Sequence, residues 1–98
     1  MPKLAQQHKT AITKLMLHTT AKYITRFATD DSASCFGMYA NDVAYNSKAL
    51  AKFNKTGDCV ALHDAVMSQD TLVREYYISV LRYIEDNALI PAAYYACS

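Results

Sequence analysis

The sequence predicts an all-α fold, a compact bundle of about four helices, and three observations support this prediction. Apolar residues recur at helical spacing along most of the 98 residues. The chain has only two Gly and two Pro, too few for the many tight turns of an all-β domain. Its fifteen alanines favour helices that pack closely. We expect one helical domain over residues 1–98, because this length is close to the commonest domain size.

The first predicted helix covers residues 4 to 28. At about 100° per residue its apolar side chains gather on one side. These side chains are Ala5, Ile12, Leu15, Met16, Tyr23 and Phe27. Leu17 and Ile24 widen this apolar side at its shoulder. We expect the helix to end near Thr29, because the acidic pair that follows can cap the next helix.

The second predicted helix runs from about Ser32 to Asn54. An apolar seam at helical spacing follows it, formed by Phe36, Ala40, Val43, Ser47 and Leu50. The segment KTGDC then predicts a sharp boundary. Gly57 can adopt the left-handed conformation that ends one helix, and Asp58 can cap the next.

The third predicted helix extends to about Met67 and buries one apolar stripe. This stripe contains Cys59, Leu62, His63 and Val66. The segment SQDT predicts a break, with Ser68 or Asp70 starting a fourth helix that ends near Asn87. Apolar residues seven apart continue across this break, so one helix over residues 57–88, in a bundle of three, is the alternative.

Charge is distributed unevenly along the chain. Residues 1–29 carry five cations and no acid, whereas residues 57–98 carry six acids against two bases. Packing of the first helix beside the last would let their opposite charges complement each other.

The cysteines and the apolar runs indicate the compartment. Three cysteines, without a CxxC motif, argue against a disulfide framework and predict a reducing, cytoplasmic location. The longest apolar run, from Ala88 to Cys97, contains Pro91 and is too short to span a bilayer. We therefore expect no membrane association.

No residue pattern predicts catalysis, a cofactor or a metal site. Cys59 and His63, four residues apart, provide half of a zinc site, but a structural zinc needs four ligands. The same pair lacks the orienting group that nucleophilic catalysis needs. The paired carboxylates, at 30–31 and 85–86, fall where helix ends are expected, so capping explains them. The chain is therefore predicted not to be an enzyme.

Tyrosines are concentrated at the C-terminal end, where five of the eight lie at or after residue 76. We predict a C-terminal patch that binds a partner, formed by Leu72, Tyr76, Tyr83, Tyr94 and Tyr95. Tyrosine is enriched at protein interfaces. The structural alternative is that these rings lie across the bundle while their hydroxyls stay in water.

The function that these observations predict is that of a small, non-enzymatic interaction module. Its partner is another protein, and self-association is the alternative. Chains of this type include many virus- or phage-encoded inhibitors that occlude a host or defence protein. A second hypothesis is weak binding of nucleic acid or an anionic ligand by Lys14, His18 and Lys22, which share one side of the first helix. A solvated helix face explains that row more simply.

Overall fold

The computed structural model describes the backbone of residues 4–28 and 33–91, and the side chains of residues 4–26 and 40–91. All regular structure in these ranges is helical. The helices are α1 (Gln6–Ala28), α2 (Ala33–Thr56), α3 (Cys59–Met67), α4 (Thr71–Tyr76) and α5 (Ile78–Asp86). Four helices have nine residues or more, and α4 has six. The predicted all-α bundle is confirmed.

Hydrogen bonds at both ends of α1 show how it lies against α2. Near the start of α1, the Thr13 hydroxyl donates to Asn54 Oδ1 at 3.0 Å, close to the end of α2. Near the end of α1, the Tyr23 hydroxyl donates to Asp42 Oδ2 at 2.6 Å, closer to the start of α2. The two helices therefore run antiparallel, as expected of neighbours joined by a short connection.

The same reasoning places α1 against the C-terminal helices. His8 Nδ1 lies 2.8 Å from the Tyr83 hydroxyl, and Thr20 Oγ1 lies 2.6 Å from the Tyr77 hydroxyl. Residue numbers rise on α1 as they fall on α4 and α5, so these elements are antiparallel as well. The basic first helix therefore lies beside the acidic last helix.

The connection between α2 and α3 has the geometry that the sequence predicts. Gly57 has a φ of 70°, and its N–H donates to the Phe53 carbonyl at 2.7 Å. This is a left-handed helix end, which favours glycine because a side chain is strained there. Asp58 Oδ1 then accepts the Ala61 N–H at 3.1 Å and caps α3.

Two breaks separate the elements that follow α3. Ser68 ends α3, and Asp70 precedes α4 in an extended conformation. One continuous helix over residues 57–88, and with it the three-helix bundle, is therefore wrong. A second turn at Tyr77, with φ −95° and ψ 13°, also divides the helix expected up to Asn87. Tyr77 is fully buried, and its hydroxyl is hydrogen-bonded to Thr20.

The inward face of α2 differs from the predicted seam. Ala40 and Ser47 are exposed, whereas Asn46 and Phe53 are buried with 1% of their surface exposed. The prediction is correct for Val43 and Leu50, which pack half-buried against the core. It is wrong at Ala40 and Ser47, because Asn46 is polar and its burial depends on a partner distant in sequence. Phe36 lies outside the described side chains.

The core lies where α1, α3, α4 and α5 meet the end of α2. Its buried apolar residues are Ile12, Met16, Tyr23, Phe53, Cys59, Leu62, Val66, Val73, Tyr77, Val80, Leu81, Ile84 and Ile90. The predicted buried stripe of α3 is confirmed, including His63. The side of α1 that faces away from this core is left uncovered over its second half, which positions the candidate site.

Candidate functional site

Tyr76 and Tyr83, two members of the predicted C-terminal patch, are half-buried against the core. The Tyr83 ring meets the His8 ring edge-on, with centroids 5.8 Å apart, and its hydroxyl bonds the same histidine. The Tyr76 ring stands perpendicular to the ring of Tyr23 at 5.1 Å. Edge-to-face pairs of this kind stabilise a fold. Both rings therefore contribute to holding α1 against α4 and α5.

The other members of the patch are Leu72, which is exposed, and two tyrosines near the C-terminus. Leu72 is exposed over 55% of its surface. Tyr94 and Tyr95 lie outside the described residues. Within the part of the patch that the structure describes, Leu72 is thus the side chain most available to a partner.

Tyr23 and Tyr77 carry hydroxyls that are buried and firmly hydrogen-bonded. Burial, followed by the hydrogen bond to Asp42, raises the pKa of Tyr23 far above its ordinary range. Burial also raises the pKa of Tyr77, although its hydrogen bond with Thr20 opposes this. Both hydroxyls stay protonated near neutral pH, so their role is to connect helices rather than to transfer protons.

Cys59 and His63 share one buried side of α3, each with 5% of its surface exposed. Burial, and then the charge of Asp58, raises the pKa of the Cys59 thiol, which makes it a poor nucleophile and a poor metal ligand. His63 Nε2 lies 3.2 Å from Glu85 Oε1 on α5. Across the described side chains, no three His, Cys, Asp or Glu residues are grouped as a metal site would require.

The structure brings together the cations predicted on α1. Lys14, His18 and Lys22 are all exposed, and Arg26 continues the same spacing of four residues. His18, Lys22 and Arg26, with Ala21 and Thr25, line an open groove of about 500 Å³. We call Lys14, His18, Lys22 and Arg26 the basic row. Arg26 was missed as a site residue, although its position four residues after Lys22 could have identified it.

An apolar strip lies beside the basic row. Leu17 is exposed over 57% of its surface and Ile24 over 36%, and Ala21 between them is also exposed. Their spacing places the three residues on one side of α1. We call Leu17, Ala21 and Ile24 the α1 outer strip. The sequence placed Leu17 and Ile24 at the shoulder of the apolar side, and in the described structure no helix covers them.

On α1, exposed apolar side chains and a row of cations therefore adjoin. Over the described residues, no helix has both the length and the hydrophobicity needed to cross a bilayer. Comparisons with models of protein families, with curated proteins and with solved structures find no match to this chain.

Proposed function

We propose that this protein is a non-enzymatic interaction module whose α1 outer strip and basic row bind an acidic protein surface. The observation that carries the proposal is the exposure of Leu17 and Ile24 on one side of α1. Adjacent exposed apolar residues with a polar border are typical of protein-binding sites. Ala21, between them, allows a partner to approach the helix backbone closely.

The basic row specifies the chemistry of the partner. Three permanent cations and His18 border the α1 outer strip, so a complementary surface presents apolar side chains flanked by carboxylates. An acidic amphipathic helix, laid along α1, meets both requirements. An antiparallel symmetric pair of these faces, with its twofold axis perpendicular to α1, is disfavoured because it would place the two basic rows side by side.

The C-terminal patch is the alternative contact region for the same kind of partner. Leu72 is its exposed described member, and Tyr94 and Tyr95 are its remaining candidates. An interaction module without chemistry acts by occluding the surface that it binds, which is how an inhibitor of the predicted type would work. A reducing compartment suits the protein, because Cys59 has a free thiol.

Paired substitutions on different faces test this proposal. Leu17→Asp/Ile24→Asp places two charges in the α1 outer strip, and Leu72→Asp is the matched control on α4. Proteins captured from native extract are identified, purified and titrated against each variant. We expect the strip variant to bind at least tenfold more weakly, and the control variant to bind as the wild type does. Loss of binding in the control alone would transfer the site to the C-terminal patch.

The basic row supports a second candidate function, binding of nucleic acid or another polyanion. The supporting observation is the open groove that His18, Lys22 and Arg26 line. Three to four phosphate contacts predict a slope of about −0.9 per contact in log affinity against log salt. Titration of labelled DNA and RNA at about 50 mM and about 200 mM salt measures this slope. Absence of binding at the lower salt concentration would exclude this function.

A further inference from the structure

A second concave region lies between α2 and α3 and shares no residue with the α1 outer strip or the basic row. It is a groove of about 270 Å³. Ala49 lines it from α2, and Ala61 and Ala65 line it from α3. Phe53 and Leu62 are almost fully buried and form its floor. The groove is therefore apolar at its base.

Two fixed contacts between α2 and α3, one at each end of the groove, explain why it stays open. At one end the side-chain amides of Asn46 and Gln69 pair, which fixes the separation of α2 from the end of α3. At the other end the turn at Gly57 sets the separation. Between these two fixed points the facing residues are alanines, whose methyl groups are too small to fill the space. Larger residues such as leucine would close it.

The rim of the groove is polar and carries an excess of positive charge. Lys48 and Lys52 are exposed and lie one turn apart on α2. Asp58 also lines the groove, but its Oδ1 already accepts the Ala61 N–H. In the described part of the chain, neither lysine forms an ion pair. Two cations above an apolar floor are complementary to an anion with an apolar body.

We propose that this groove binds a small amphipathic anion, a carboxylate or sulfonate on a short aliphatic body. The groove, of about 270 Å³, has room for a short aliphatic chain. An aliphatic carboxylate of about eight carbons has this size. Its chain contacts Phe53 and Leu62, and its carboxylate lies at the rim within reach of Lys48 and Lys52. This site is independent of the proposed protein-binding function.

Titration of the intact protein with sodium octanoate, followed by amide chemical shifts, tests the proposal. We expect saturable shifts concentrated at Ala49, Ala61 and Ala65, with a dissociation constant on the order of 1 mM, as befits a ligand this small. The neutral analogue 1-octanol should bind several times more weakly, because it lacks the charge that the lysines attract. Shifts confined to α1 and α5, or equal affinity for the two compounds, would overturn the proposal.

Two variants separate the apolar contribution to octanoate binding from the contribution of the lysine charges. Ala61→Leu fills the groove and should weaken octanoate binding at least tenfold. Lys48→Gln/Lys52→Gln alters only exposed side chains, so the fold is retained, and should weaken octanoate but not 1-octanol. Lys9→Gln/Lys55→Gln, at two lysines outside both the groove and the basic row, is the matched control for total charge and should bind as the wild type does. Unchanged octanoate affinity in the Lys48/Lys52 variant, or a loss equal to that of the control variant, would contradict the site.

Discussion

Asn46 and Gln69 form a reciprocal pair of hydrogen bonds between α2 and the connection from α3 to α4. Each side-chain amide nitrogen donates to the amide oxygen of the other residue at 2.9 Å. Asn46 Nδ2 also donates to the Asp42 carbonyl, and Gln69 Nε2 to the Ala65 carbonyl. This satisfies the polar atoms of a nearly fully buried asparagine, and it fixes how α2 lies against α3.

Removing one partner of this pair should be costly. In Gln69→Ala the buried Oδ1 of Asn46 loses its donor, so we expect the free energy of unfolding to fall by about 1–3 kcal/mol. Asn46→Ala should have a similar effect. In the double variant neither partner is left unsatisfied, so the effects should be less than additive by about 1 kcal/mol or more. Urea denaturation of the four proteins measures this coupling.

The Thr13 to Asn54 hydrogen bond between α1 and α2 provides a matched control, because it is exposed. We expect Thr13→Ala and Asn54→Ala to be additive within about 0.5 kcal/mol. If the interaction free energy were equal in the two pairs, burial would not determine how much Asn46 and Gln69 contribute to stability.

Ala88 adopts a left-handed conformation, with φ 51°, just beyond the end of α5. Its N–H donates to the Glu85 carbonyl at 3.1 Å, and the Leu89 N–H donates to the Ile84 carbonyl at 3.0 Å. Glycine usually occupies this position because it lacks the strained Cβ. We therefore expect Ala88→Gly to stabilise the protein by about 0.5–1 kcal/mol, as measured by urea denaturation.

The reverse substitution tests the same reasoning at the end of α2. Gly57 has a φ of 70°, and an added Cβ would meet Leu4 Cβ at an unstrained 3.8 Å. Backbone conformation is therefore the main penalty, and Gly57→Ala should destabilise the protein by about 1 kcal/mol. If Ala88→Gly lowered the free energy of unfolding, that result would contradict the left-handed conformation of Ala88 at the end of α5.

The buried Tyr77 hydroxyl predicts a loss of stability at alkaline pH. Burial raises its pKa above that of the unfolded chain, which is about 10. Above that pH the unfolded chain releases the proton and the folded chain retains it, so unfolding becomes more favourable as the pH rises. The stability that Tyr77 confers over phenylalanine should therefore be full below about pH 10 and should fall as the pH rises above that value.

Urea denaturation of the wild type and Tyr77→Phe, near neutral pH and above about pH 10, measures this change. We expect the Phe variant to be less stable near neutral pH, because Thr20 loses its partner, and to decline less on alkalinisation. Parallel declines in the two proteins would show that the Tyr77 pKa is the same in the folded and unfolded states.

Tyr83 is predicted to stabilise the bundle through its hydroxyl as well as its ring. The hydroxyl bonds His8 Nδ1 at 2.8 Å in a partly buried setting, so Tyr83→Phe should lower the free energy of unfolding by about 0.5–1.5 kcal/mol. Tyr45→Phe is the control, since its bond to Ser68 is exposed, and should change stability by less than about 0.5 kcal/mol. If Tyr83→Phe has no effect on stability but weakens partner binding, Tyr83 belongs to a contact surface instead.

Local signals in the sequence predicted a large part of the fold. Gly57 and Asp58 marked the boundary between α2 and α3, because glycine favours a left-handed helix end and aspartate favours the capping position of the next helix. The buried stripe of α3 followed from spacing alone. The burial of Asn46 could not be predicted in this way, because its hydrogen-bond partner Gln69 is distant along the chain. No local signal in the sequence marks the turn at Tyr77.

The candidate surface was only partly predictable for a related reason. Spacing identified Lys14, His18 and Lys22, and the structure shows them on one exposed face. Spacing also placed Leu17 and Ile24 beside the apolar side of α1, but it cannot show whether a second helix covers them. That depends on where α2 and α5 lie, which is a tertiary property.

The central claim, that α1 presents the contact surface, is tested most directly by photo-crosslinking in native extract. A photoreactive residue replaces Ala21 in the α1 outer strip, and the control replaces Ala51, which is exposed on α2. We predict that position 21 crosslinks to a protein segment rich in acidic residues, and that raised salt reduces the yield. Equal crosslinking from position 51, or none from position 21, would contradict the account.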